Sequence, residues 1–129
     1  MGMTSKQMLD EARQNVPEIS APDAKEKLDK GEFDLILDVR EPAEWQNGHL
    51  EGAIHIPRGL LEFQADPTSP MANAELTAKQ DARILVHCAK GARSLLAADT
   101  LKKMGYENVA SIAGGYDDCA ASGFAIEKE

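Results

Sequence analysis

No apolar run in this chain approaches the roughly 18 residues that a membrane span requires. The opening stretch, MGMTSKQMLDEARQ, has no apolar core of the kind that directs export. Gly2 is followed at position 6 by Lys6, where a myristoylation signal needs Ser or Thr. Basic residues are in deficit: 14 Lys and Arg stand against 22 Asp and Glu, a net charge of −8. The cations are scattered rather than striped, which argues against nucleic acid and anionic membrane surfaces as partners. Cysteine is scarce as well. Two in 129 residues do not make a disulfide scaffold, and neither Cys88 nor Cys119 has the CxxC or CxxH neighbours of a structural zinc site. No metal or cofactor is expected. Without an export signal the expected compartment is a reducing cytoplasm, where a thiol is buried, metal-bound or catalytic. Internal repeats, low-complexity tracts and long linkers are also missing.

What is present reads as one folded, soluble domain. Hydrophobic residues make up 43% and charged residues 28%, the balance of a chain able to bury a core. Thr4 is placed to cap a helix over residues 5–15 that Pro17 ends. Ser20 or Asp23 can cap a second helix, with Gly31 at its left-handed stop. LILDV (35–39) is an apolar run ending in charge, as a buried parallel strand would be. A short helix over 41–46 and a strand AIHI (53–56) follow. The stretch 58–81, which contains DPTSP, is expected to be surface loop with one or two helical turns. ILV (84–86) is the third strand, 94–104 the strongest helix, NVASI (108–112) the fourth strand and YDDCAAS a last short helix. Strands alternating with helices predict an α/β fold with a mainly parallel sheet, whose ligands bind outside the carboxyl ends of the strands.

Cys88 stands at such an end, in HCAKGARS (87–94). A thiol is a nucleophile only as its thiolate, so the loop must stabilise negative charge. Three features can do so. The following helix aims its N-terminus, with unpaired N–H groups and a partial positive charge, at the loop. Gly91 frees the backbone to turn successive N–H groups inward as an anion nest. Lys90 and Arg93 add two full charges. A lone cysteine at a strand end would be read as a small core residue; the combination here favours an activated thiol. His87 is read as a packed structural residue ahead of a catalytic base.

At this point the chain resembles the rhodanese family of sulfurtransferases. LILDVREPAEWQNGHLEGAIHIP is similar to the family's Asp-Val-Arg, acidic helix, Gly-His-x-x-Gly-Ala and Ile-Pro segment. HCAKGARS resembles its Cys-x-x-Gly-x-Arg-Ser active loop, and SIAGGYDDCAASGF its closing Gly-Gly segment. The resemblance implies a rhodanese-like three-layer fold, with helices on both faces of the sheet. It divides the chain into an N-terminal helical extension, residues 1–17, and one rhodanese domain, 18–129. It also implies a mechanism in which Cys88 takes a sulfane sulfur from a donor such as thiosulfate and passes it to cyanide or a thiol. Ala89, Lys90, Gly91, Ala92, Arg93 and Ser94 would bind the donor, with Lys90 favouring an anion. Asp38 and Arg40 would brace the loop. Arg58 would add positive potential over the pocket, or stand as a solvated loop arginine. His49 is expected to fix a turn.

Two departures from the family pattern stand out. Cys119 occupies a place where many members carry Trp, and is read as a packed residue ahead of a resolving thiol for Cys88. RGLLEFQADPTSP is longer than the minimal family needs. The implied partners are a small-molecule sulfur donor and acceptor, a protein thiol among the acceptors. The N-terminal helix packs on the domain or mediates self-association, giving a monomer or weak homodimer. Two rival functions remain. A Cys-loop phosphatase or arsenate reductase needs five residues between Cys and Arg to hold a tetrahedral oxyanion, and here there are four. A non-catalytic partner-binding or sulfide-sensing module would typically have lost the cysteine.

Overall fold

The structure, a computed structural model, describes residues 2–128; Met1 and Glu129, the outer ends of the two expected segments, lie outside the described residues. Helix α1 (Ser5–Asn15) opens with a reciprocal cap: Gln7 N–H donates to the Thr4 hydroxyl at 3.1 Å and Thr4 N–H to the Gln7 side chain at 2.8 Å. Strand β1 (Glu18–Ser20) leads into α2 (Ala21–Asp29), whose first turn is capped by the Ser20 hydroxyl. That helix stops at Gly31, where φ is +76° and the N–H groups of Gly31 and Glu32 satisfy the last carbonyls.

Strand β2 (Leu35–Asp38), α3 (Pro42–Gln46), β3 (His49–Leu50) and β4 (Ile54–His55) follow in quick succession. A 3-10 turn (Arg58–Leu60), α4 (Leu61–Gln64) and α5 (Ala74–Thr77) make up the long connection. The second half runs β5 (Ile84–His87), α6 (Ala92–Lys103), β6 (Val109–Ala113), α7 (Gly115–Ala121) and β7 (Ile126–Glu127).

Five strands form one parallel sheet in the order β1-β6-β5-β2-β4, and β3 pairs antiparallel with β7. Alternation along the central strands sorts the core into two layers. Leu37, Val39, Ile84 and Val86 face α1 and α6, with Leu95, Leu101 and Tyr106 packed beside them. Ile36, Leu85 and Ile112 face the other way, onto α2 and α7, with Ala24, Cys119 and Phe124. The result is a three-layer α/β fold. Among the described residues no helix is long and apolar enough to cross a membrane.

The connection 58–81 departs from the expected surface loop. Leu61, Ala65 and Leu76 are fully buried, and the Tyr106 hydroxyl donates to the Ala65 carbonyl at 2.7 Å. The prolines sit in the middle of this stretch, while its ends turn inward to close the core over α6. Burial of each leucine contributes about 2 kcal/mol, so the segment is part of what holds the fold together. The edge strand β1 and the β3–β7 pair are also additions to the expected elements.

Candidate active site

Strand β5 is buried along its whole length and delivers Cys88 to the carboxyl edge of the sheet, between the equivalent ends of β2 and β6. The chain then turns through Ala89–Gly91 into α6. Gly91 adopts φ +118°, a conformation that side-chain-bearing residues rarely take, and this turns its N–H inward. The Cys88 sulfur accepts from Gly91 N–H at 3.1 Å and from Ser94 N–H at 3.3 Å, and its thiol donates to Ser94 Oγ at 3.5 Å. Ser94 lies in the first turn of α6, where N–H groups have no partner within the helix. Burial by itself pushes this thiol up. Hydrogen bonds from the Ser94 hydroxyl and N–H and from the N–H groups of Gly91 and Lys90 outweigh it, and the net shift is downward.

The Ser94 hydroxyl also meets Ser111 Oγ at 2.8 Å and donates to the Gly91 carbonyl at 3.1 Å. Ser111 lies on β6, and no loop motif pointed to it. Ser94 has one proton, held by the Gly91 carbonyl while the Cys88 thiol is protonated; with Ser111 supplying a proton to its oxygen, Ser94 can swing that proton from Gly91 to a thiolate.

The Gly-Gly segment forms one wall. Gly115 has φ +67°, and a Cβ there would overlap the Ala89 carbonyl, so only glycine lets α7 begin this close to the loop. Tyr116 N–H donates to the Cys88 carbonyl at 2.8 Å and ties the two segments together.

Below the loop lies a buried charge pair. Arg40 grips Asp38 through Nε and Nη2, with its shortest contact at 2.8 Å, and donates from Nη2 to the Gly48 carbonyl at the same distance. Its guanidinium lies 4.2 Å over the Tyr116 ring. His87 sits on the Asp38 side of the sheet, away from the thiol. Its Nδ1 is 3.2 Å from the Cys88 carbonyl, and its Nε2 is 3.6 Å from Asp38 Oδ2 without a hydrogen-bond partner. Burial pushes the His87 pKa down more strongly than Asp38 raises it, so the ring is held neutral. His49 stacks flat on Trp45 at 3.5 Å between ring centroids, and Trp45 in turn stacks on His55.

The three candidate cations differ in placement. Lys90 is exposed at the mouth, its ammonium 3.8 Å from Asp117. Arg93 is held by both oxygens of Glu44, at 2.8 and 3.1 Å, and that fork is the main reason Glu44 falls to about 2. Glu44 was not among the residues read as functional; only its place in the acidic helix hinted at it. Arg58 is not brought to the loop: it pairs with Glu62 and donates to Thr100 Oγ1, two turns along α6, because the 3-10 turn packs on that flank. Cys119 is buried in the core layer opposite Cys88, its thiol pushed up to about 12 by burial and then by Asp118 and Asp38. Both cysteines are free thiols.

Residues 20–122 match the family described as "Rhodanese-like domain". The chain is 36% identical over 104 residues to the "Putative sulfur carrier protein YrkF" of Bacillus subtilis, covering 81% of this chain and 51% of that protein. It therefore spans about half the length of that relative. Over 90 residues it is 36% identical to "Thiosulfate sulfurtransferase 16, chloroplastic" of Arabidopsis thaliana, covering 67% of this chain and 74% of that protein. Among solved structures, a Rhodopseudomonas palustris protein of unknown function, described as a possible tyrosine phosphatase, superposes with a TM-score of 0.88. That pair shares 36% identity and covers 98% of this chain and 96% of the other.

Proposed function

The chain belongs to the rhodanese-like domain family, and from that premise we propose that it transfers sulfane sulfur through a persulfide on Cys88, with thiosulfate as donor and cyanide or a thiol as acceptor. The observation that carries this reading is the Cys88 sulfur accepting two backbone N–H groups at the head of α6, in a loop with four residues between Cys88 and Arg93. The thiolate attacks the outer sulfur of thiosulfate. A new sulfur–sulfur bond forms, the old one breaks, and sulfite leaves with the bonding pair. The same N–H groups then hold the persulfide's negative charge. Cyanide attacks the terminal sulfur, thiocyanate departs and the Cys88 thiolate is restored. Each half-reaction begins and ends with one negative charge on the loop, so one set of donors serves both.

In this reading the backbone of Ala89 to Ser94 frames the donor, and Lys90 draws an anion to the mouth. Asp38 and Arg40 brace the strand end from below. The phosphatase reading has one neighbour's description behind it. Against it, four residues rather than five separate Cys88 from Arg93.

The test is the steady-state rate of thiocyanate formation, with thiosulfate varied at several fixed cyanide concentrations. Parallel double-reciprocal lines are expected of two half-reactions. No turnover with thiosulfate, or turnover of an aryl phosphate instead, would contradict the reading.

A further inference from the structure

Two carboxylates stand against the two cations of the loop, Glu44 on Arg93 and Asp117 on Lys90. The two cations are held differently. Lys90 and Asp117 are 83% and 76% exposed and meet only at 3.8 Å, a pair that water screens. Arg93 and Glu44 are 37% and 34% exposed and meet as a two-pronged fork. Nor is Glu44 free to drift. Its Oε1 accepts from Glu41 N–H at 2.9 Å, closing the cap of α3 and fixing the carboxylate. The guanidinium in the loop is thus already paired with an anion of the protein's own.

We infer that Glu44 sets donor selectivity: by occupying the Arg93 guanidinium with a fixed carboxylate, it disfavours anionic donors relative to neutral ones. An incoming anion meets the Glu44 charge, and must displace it or bind on Lys90 and the loop N–H groups alone. A neutral reagent meets no such opposition. This rests on the sulfur-transfer reading for its meaning in catalysis, but the geometry can be tested without turnover.

The test compares alkylation of Cys88 by iodoacetate, an anion, and iodoacetamide, its neutral counterpart, on the same preparation. Glu44→Gln is expected to raise the iodoacetate-to-iodoacetamide rate ratio roughly three- to fivefold, the scale of one partly exposed ion pair. Asp117→Asn is expected to raise it less. In the steady state Glu44→Gln is expected to lower KM for thiosulfate with kcat largely retained. Reading both alkylators together controls for folding, since an opened loop would bring the ratio to that of a free cysteine peptide, and that outcome in Glu44→Gln is checked with Glu44→Ala. A raised ratio without thiosulfate turnover supports the Glu44 inference while overturning thiosulfate as donor. An unchanged ratio in folded protein, with turnover intact, overturns the inference and leaves sulfur transfer standing.

Discussion

Cys88 and Cys119 are both buried in one small fold, yet their thiols are pushed in opposite directions. Burial acts on both in the same sense, against charge. What separates them is the company of each sulfur. Cys88 ends a strand where a glycine turn and the head of α6 present N–H groups to it. Cys119 lies inside α7, where the backbone N–H groups are committed to the helix and the charges that act on it, Asp118 and Asp38, are negative. Reactivity here follows from donors at the sulfur rather than from exposure. A strand end before a helix is the place in this fold that supplies such donors.

The largest expected effect comes from dismantling the cradle on one side only. Gly115→Ala places a Cβ against the Ala89 carbonyl at a positive φ, so loop and α7 must part. We expect thiosulfate turnover to fall more than about tenfold, and stability to drop by about 3 kcal/mol in urea denaturation. Next is Ser94→Ala, which removes the hydroxyl while keeping the N–H. The midpoint of the pH–rate curve for iodoacetamide should rise by about one unit, the worth of one hydrogen bond to a charged group. An unmoved midpoint would mean that the backbone alone holds the thiolate. Cys119→Ala sharpens the comparison from the other side: the iodoacetamide profile of Cys88 stays in place, and stability falls by only about 1 kcal/mol for the small void.

The smallest effect is on acid stability. Glu44 lies near 2 in the folded chain, below its ordinary value of 4.5, so its pairing with Arg93 stabilises the fold above that ordinary value and is lost as pH falls towards 2. With the pair a third exposed and screened, Glu44→Gln should flatten the stability curve in that window by no more than about 1 kcal/mol.

Much of this was legible in the sequence because its signals are local. The Thr4 and Ser20 caps, the Gly31 stop, and the order strand, cysteine, glycine, helix are each written within a few residues. What was not legible joins distant positions. Glu44 reaches Arg93 across 49 residues, and Ser111 reaches Ser94 across 17. Strands β3 and β7 have two residues each, too few for any alternation to appear. The inward turns of Leu61 and Leu76 depend on the space above α6 that the finished fold leaves, and the same packing takes Arg58 to Thr100 instead of the loop.

The most direct measurement is intact mass after incubation with thiosulfate, on the parent chain, Cys88→Ser and Cys119→Ser. The account predicts a gain of one sulfur atom in the parent and in Cys119→Ser, removed by cyanide, and none in Cys88→Ser. Sulfur retained in Cys88→Ser, or none gained by a parent chain whose Cys88 is reduced, would contradict it.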